Sequence, residues 1–531
     1  MDINTKVSAL IDSLSLKEKV GQLFILAFAG EDKDYAVSLV RDHHIGGFYI
    51  TDDNASSSND ALALSQLLQQ QASLRACDAP LILAVDQEGA WGILTHETDL
   101  GPGNLALGIA NDTSLTQSMY QVFAEQMQRL GYNTLLSPCA DVNANPDNPI
   151  IGQRSFGEQP EQVGNHVAAA VRGVLTTSNM SCAKHFPGHG DTATDSHQAL
   201  PIVDKSLAQL KQQDLAPFQS AIDAGVNLIM TSHICYPQLD EQYPATLSRK
   251  ILTSLLKQQM GFDGLIITDS MNMWAMRKNY HPVAAAVQAL KAGAHLIMLS
   301  EEHYENSQTP YKQIQQDTLA GVILAVETGD LDEAIIDEAL NKVLCTRYLK
   351  LAAPFKPTQL SKNTCQQIAQ QASEQSIKIL RNANNWLPLQ EQAFYLTFAA
   401  NPKGYESLVN DRGIGPNDPV PARDAILKAL NVKQANYTHV PFEQFNRQHS
   451  ALSDDKPIVI VTEDYPLPGE SFDLIEQQQR VLELLNLLGN RLIVAACRSD
   501  YELAHYSQLS TYICSYSSRT ISAKSLINQL I

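Results

Sequence analysis

Positive charge is scarce in this chain. Against 57 Asp and Glu it sets 38 Lys and Arg, for a net charge of −19 and a pI near 5.1. Such a surface repels phosphate backbones and anionic lipid, which excludes nucleic acid and membrane surfaces as partners. Long hydrophobic runs are missing as well, and none approaches the roughly 20 apolar residues of a membrane span. Residues Met1 to Lys6 have no basic stretch followed by an apolar one, so no signal peptide is expected. The eight cysteines show no metal-type pairing. Cys139, Cys182, Cys235, Cys497 and Cys514 sit inside apolar strand-like runs, where a reduced thiol packs as a small hydrophobe. These absences point to a reduced, cytoplasmic protein without a resident metal or cofactor. Repeats, low-complexity segments and a Gly-rich phosphate loop are also lacking. What remains is globular composition, 44% hydrophobic and 18% charged, over 531 residues. That length exceeds one ordinary core, so two domains are expected.

The first 350 or so residues alternate between two textures. Short apolar runs rich in branched residues recur at Leu23–Ala29, Ile45–Ile50, Leu81–Val85, Thr134–Ser137, Ser181–Lys184, Asn227–Thr231, Gly264–Thr268 and Ala294–Leu299. Helical periodicity fills the gaps, as in Ala61–Arg75, Ser114–Leu130, Glu161–Thr176, Ala208–Ala224 and Lys250–Met260. Continuous apolar strands separated by helices read as a buried parallel sheet with right-handed crossovers. Eight such units make an α/β fold of the (β/α)8 TIM-barrel type, expected over residues 1–352. A helical stretch over Tyr311–Leu351 runs into Ala353-Pro354-Phe355-Lys356-Pro357, where two prolines stop it, placing a linker at 353–362. Apolar runs at Phe394–Phe398, Ile458–Thr462, Leu492–Ala496 and Thr511–Ser515 then alternate with helical segments. Residues 363–531 are therefore expected to form a smaller α/β sandwich, without a catalytic constellation of its own.

Polar residues gather at the C-terminal ends of the barrel strands. Asp86 follows the third, Asp141 and Arg154 the fourth, Lys184–His197 the fifth, His233 the sixth and Asp269 the seventh. That face carries barrel active sites, and five consecutive strand ends argue for one site. The densest stretch is Lys184-His185-Phe186-Pro187-Gly188-His189-Gly190-Asp191-Thr192-Ala193-Thr194-Asp195-Ser196-His197. Pro187, Gly188 and Gly190 forbid a helix there, so its polar groups lie on a shaped turn. Asp195 and His197 are two residues apart, close enough for a carboxylate to hold an imidazole nitrogen and raise its basicity. Asp269 ends an apolar strand, where an unpaired carboxylate is costly without a function.

This stretch resembles the signature of glycoside hydrolase family 3, in its β-N-acetylglucosaminidase branch. Asp86-Gln87-Glu88-Gly89, Asn145-Pro146-Asp147-Asn148-Pro149, Gly152-Gln153-Arg154-Ser155-Phe156 and Pro244-Ala245-Thr246-Leu247-Ser248 agree with the same family. Ile267-Thr268-Asp269-Ser270-Met271-Asn272-Met273 is similar to its nucleophile segment, and Ile379-Leu380-Arg381-Asn382 with Asn385-Trp386-Leu387-Pro388-Leu389 to its entry into a second domain. The resemblance implies a retaining exo-β-N-acetylglucosaminidase that needs no cofactor and acts on a small carbohydrate as a monomer or homodimer. By it, Asp269 is the nucleophile and His197, oriented by Asp195, the acid/base. Asp86, Arg154, Lys184 and His185 bind sugar hydroxyls. The aglycone stays open between a muropeptide, as in cell-wall peptidoglycan recycling, a chitooligosaccharide and another conjugate. One departure stands out. The family pattern carries an arginine eight residues beyond the aspartate after strand three, and here that residue is Leu94. Trp91 or His96 then fills the space, or the preferred sugar differs.

Plainer readings stand beside these. His185 and His189 also serve as braces of a Gly-rich turn, Asp141 as a brace of the barrel rim, and His233 as support behind the site. Met271, Met273 and Met276 suit wall packing, and Trp274 either stacks on sugar or packs in the core. Glu88 is the fallback acid. A metallohydrolase would use His185, His189, Asp191, Asp195 and His197, although Pro187 and Gly188 exclude the helical H-x-x-x-H arrangement that zinc sites favour. A β-glucosidase of the same fold, and a non-catalytic sugar-binding descendant, complete the alternatives.

Overall fold

The computed structural model describes residues 2–89, 91–148, 150–192, 200–300, 310–399, 420–444, 455–463 and 474–531. Its first sheet has eight strands: β1 Phe24–Leu26, β2 Gly47–Ile50, β3 Ile82–Val85, β4 Thr134–Leu135, β5 Met180–Phe186, β6 Leu228–Thr231, β7 Leu265–Ile267 and β8 Ile297–Leu299. Each falls within or overlaps an apolar run anticipated from the sequence. Every neighbouring pair is parallel, β8 lies beside β1, and a parallel bridge from Ile267 to Leu296 closes β7 onto β8. The sheet is therefore a closed (β/α)8 barrel, which leaves no strand edge exposed. All strand residues except Tyr49 are buried, because helices cover the outside and side chains fill the inside.

Local chemistry sets where the helices begin. Ser15 with Glu18, and Ser206 with Gln209, form capping boxes that satisfy the first free N–H groups. Pro160 and Pro282 open two further helices, where the missing N–H has no intrahelical partner to lose. The long stretch expected over Tyr311–Leu351 divides into helices Tyr311–Glu327 and Glu333–Lys350. Gly329 takes a left-handed φ of +79° between them, and Asp332 caps the second helix on the amide of Ala334.

Residues 351–361 carry neither helix nor strand, and this segment is pinned to the barrel. The buried Glu125 carboxylate accepts from the amides of Gln359 and Leu360, both at 2.8 Å. The helix that follows, Lys362–Ser376, packs Cys365, Ala369 and Ala372 into the barrel's outer core.

The second sheet has β9 Lys378–Asn382, β10 Phe394–Phe398, β11 Tyr437–His439, β12 Ile458–Thr462, β13 Leu492–Ala496 and β14 Thr511–Cys514, in the order β11-β10-β12-β13-β14-β9. Only β9 runs antiparallel to its neighbour. Side chains alternate faces along each strand. Val459, Val461, Ile493 and Ala495 pack on helices Ala422–Val432 and Thr520–Leu530. Ile458, Ile460, Leu492 and Val494 pack on helix Leu474–Leu488. This is an α/β sandwich, as anticipated. Ala106, on a barrel-side helix, joins the second of these clusters, so the two halves share apolar surface.

Candidate active site

β3 delivers Asp86 and, two residues on, Glu88, which is fully buried. β5 delivers Lys184 and His185 from within the strand. The loop after β4 brings Arg154 back over them. Lys184 forms a short charged hydrogen bond to Asp86 Oδ1 and lies 3.5 Å from Glu88 Oε2. Arg154 Nε donates to Glu88 Oε1 at 2.8 Å. Two cations and two carboxylates thus neutralise one another at the barrel mouth, as buried charges require. Burial pulls the Lys184 ammonium down, but Asp86 and Glu88 outweigh it and hold the lysine above its ordinary range. Burial likewise raises the Asp86 carboxyl, and Lys184 with Tyr49 more than reverses this, leaving it below the usual carboxylate value.

His185 reports its own tautomer. Arg154 can only donate, and its Nη2 lies 3.3 Å from His185 Nε2, so that nitrogen accepts. Nδ1–H then donates to Asp141 Oδ2 at 2.8 Å. Burial, followed by the Arg154 charge, pushes the imidazole well below its ordinary pKa, so His185 is neutral.

Asp141 proves to be the hub behind the site. It is fully buried and also accepts from the amide of His189 at 2.7 Å and from Cys139 Sγ at 3.2 Å. It therefore braces the rim. His189 uses Nδ1 on Thr192 Oγ1 at 2.9 Å, and its ring meets His185 edge to face. The turn around it is tightly fitted. A Cβ on Gly190 would lie 1.6 Å from the Val142 carbonyl oxygen, and Gly188 has φ +141° with Asp214 against it. Lys205 clamps the same turn by pairing with Asp191 at 3.0 Å and Asp214 at 2.9 Å.

Asp269 follows β7. Its Oδ1 accepts from the Ser270 amide at 2.7 Å, and His233 Nε2 donates to the Ser270 carbonyl at 2.9 Å. His233 is thus support behind Asp269. The pocket, together with the open solvent at its mouth, spans about 550 Å³ of non-protein space. Asp269, Asp86, Arg154, Lys184, His185 and His189 line its polar side, and Trp91, Ile150, Met230, Met273 and Met298 its apolar side. Five of the residues singled out in the sequence therefore meet in one cavity: Asp86, Arg154, Lys184, His185 and Asp269. The expected dyad, Asp195 and His197, lies outside the described residues, as does the Trp274 side chain.

One participant escaped the sequence, and two others were read there only as alternatives. Tyr49, in the middle of an apolar run, donates to Asp86 Oδ2 at 2.7 Å. Glu88, held in reserve as an acid, does not reach the pocket wall and instead anchors Arg154. Asp141 carried the same positional signal as the others, a carboxylate just past an apolar strand. Of the two candidates to fill the space left by Leu94, Trp91 lines the pocket, with the Arg154 guanidinium 4.1 Å from its ring centroid. The His96 side chain is 59% exposed and pairs with Glu97. Among the described residues, the ligand-type groups that converge closely enough to hold a metal are Cys139, Asp141 and His185. This differs from the set a metallohydrolase was expected to use, and these three groups hydrogen-bond within themselves.

Comparison with known proteins agrees with this geometry. The glycosyl hydrolase family 3 N-terminal domain matches residues 15–346. β-Hexosaminidase A of Pseudoalteromonas piscicida is 31% identical over 323 residues, covering 57% of this chain and 53% of that protein. The chain thus spans about half the length of that relative. A β-hexosaminidase of Chromobacterium violaceum is 34% identical over 251 residues, 46% of this chain and 70% of the relative. Among solved structures, a glycoside hydrolase family 3 β-N-acetylglucosaminidase from Paenibacillus sp. str. FPU-7 superimposes with a TM-score of 0.82 at 28% identity, over 98% of this chain and 97% of that one.

Proposed function

The chain belongs to glycosyl hydrolase family 3, and we propose that within it the protein is a retaining exo-β-N-acetylglucosaminidase. The observation that carries this reading is Asp269, at a strand end, lining one pocket with Asp86, Arg154, Lys184 and His185. A carboxylate at the end of a barrel strand, on the wall of such a pocket, can attack the anomeric carbon and form a covalent glycosyl-enzyme. Asp86, Lys184 and Arg154 hold the ring hydroxyls through charge-assisted hydrogen bonds, with the neutral His185 beside them. A hydroxyl donating to His185 Nε2 replaces its loose contact with Arg154. His197, held by Asp195, protonates the leaving oxygen and then deprotonates water, a task suited to an imidazole near neutral pH. The relatives' names support the substrate class, and an aglycone from a muropeptide or a chitooligosaccharide fits it.

No helix among the described residues is long and apolar enough to cross a membrane. We place the protein in the cytoplasm, acting as a monomer or homodimer without metal or cofactor. The absence of a pocket-lining arginine at position 94 favours one second reading, a β-glycosidase of different sugar preference. Turnover of p-nitrophenyl β-N-acetylglucosaminide beside the β-glucoside and β-N-acetylgalactosaminide decides between them. The account expects the first to lead in kcat/KM, and a lead for the glucoside overturns the assignment of substrate.

A further inference from the structure

We propose that Tyr49 and Trp91 together do in this chain the work of the cation that the family pattern places at position 94, with Tyr49 orienting Asp86 and Trp91 orienting Arg154. The inference rests on reading the pocket as a sugar subsite.

Leu94 cannot do this work. It is 2% exposed within the barrel's apolar cluster, at a left-handed φ of +48°. Its amide donates to Asp52 Oδ1 at 2.6 Å, and its carbonyl accepts from Glu97 and Thr98 at 2.8 and 2.9 Å. The segment is thus tied down facing away from the pocket. His96 points to solvent.

The groups that line the pocket show what takes over. Asp86 must present a fixed carboxylate to a sugar, and a carboxylate has two oxygens to hold. Lys184 holds Oδ1 and the Tyr49 hydroxyl holds Oδ2 at 2.7 Å. Tyr49 is the one barrel-strand residue that is only partly buried, and it reaches the pocket from β2. Arg154 has Nε fixed by Glu88, and the remaining face of its guanidinium lies on the Trp91 indole. Trp91 packs in turn against Cys139, Ile150 and Ile151, so the ring is a rigid platform. A neutral phenol and an aromatic face thus position the two charged sugar-binding groups without adding a positive charge. The cations lining the pocket are then Lys184 and Arg154 alone, among the described residues.

Tyr49→Phe removes one hydrogen bond to a carboxylate and leaves the ring. It should lower kcat/KM on a β-N-acetylglucosaminide by about 10- to 100-fold, mainly through KM. It should also move the acid limb of the kcat/KM profile to higher pH, because Asp86 loses a donor that favours its ionised form. In an Asp86→Asn background the same change should add little, since the two residues act as a unit. Trp91→Leu should cost about 2- to 30-fold and Trp91→Phe much less, because the phenyl ring keeps a π face for the guanidinium. Leu94→Ala, which leaves a cavity in the core, should lower the melting temperature and leave kcat/KM near the starting value. An active wild type whose Tyr49→Phe variant matches it within about twofold, with an unmoved acid limb, overturns the inference. A wild type that turns over no β-glycoside overturns the sugar-subsite reading itself, and the inference falls with it.

Discussion

The two sheets of this protein are built alike and end differently. Both have parallel apolar strands whose C-terminal ends carry charged residues. At the mouth of the second sheet these charges are consumed internally. Arg498, fully buried after β13, pairs with Glu463 after β12 at 2.5 Å. Glu502 accepts from the hydroxyls of Thr462, Tyr506 and Tyr512. At the barrel mouth, Lys184, Arg154, Asp86 and Glu88 also pair, but the pairing leaves Asp86, Arg154 and Asp269 lining a cavity. A strand-end charge is therefore not a site by itself. At the barrel mouth the charges also line a cavity.

The largest effect that separates the two regions is expected at Asp269. Asp269→Asn keeps the shape and removes the attacking charge, so turnover should fall by about 10³-fold or more while the melting temperature stays put. A parallel loss of stability would mean that Asp269 is structural, like Glu463, and would erase the contrast.

His197→Ala comes next. On a natural sugar leaving group its first step should slow by about 10²- to 10⁴-fold. A dinitrophenyl glycoside needs little protonation and should retain far more of its first-step rate. The glycosyl-enzyme should then accumulate as a burst, and azide should speed turnover. Equal slowing on good and poor leaving groups would remove His197 from the role of acid.

Glu463→Ala reverses the pattern. The buried Arg498 loses a charge partner, which should cost about 3–5 kcal/mol of stability. Activity per folded molecule should change little. A large loss of kcat with unchanged unfolding would show that the second sheet does chemistry.

The smallest effect lies where the regions meet. Gln153, beside Arg154, donates to the carbonyls of Arg498 at 3.1 Å and Tyr516 at 3.4 Å. The second domain thereby steadies the loop that carries Arg154. Gln153→Ala should raise KM by about 2- to 5-fold with kcat nearly constant, and no change in KM would unlink the two halves.

The same contrast explains what the sequence revealed. The eight barrel strands were legible because burial on both faces forces continuous apolar runs. The two missed strands, Lys378–Asn382 and Tyr437–His439, are the edges of the second sheet. Ile379 and Leu380 in the first are 42% and 39% exposed, so no apolar run marks it. Asp86, Arg154, Lys184, His185 and Asp269 were legible because ionisable residues at strand ends are conspicuous against apolar strands. Tyr49 was not, since an aromatic in a strand looks like core until its hydroxyl is seen on Asp86. Asp141 looked like either brace or ligand contact. Only the count of donors around it distinguishes the two.

The central claim is that Asp269 is the nucleophile of a retaining reaction. It is tested most directly by inactivating the enzyme with a fluorosugar that traps the glycosyl-enzyme, digesting the product and locating the label. The account predicts one sugar per chain, esterified to Asp269, and a label on any other carboxylate would contradict it.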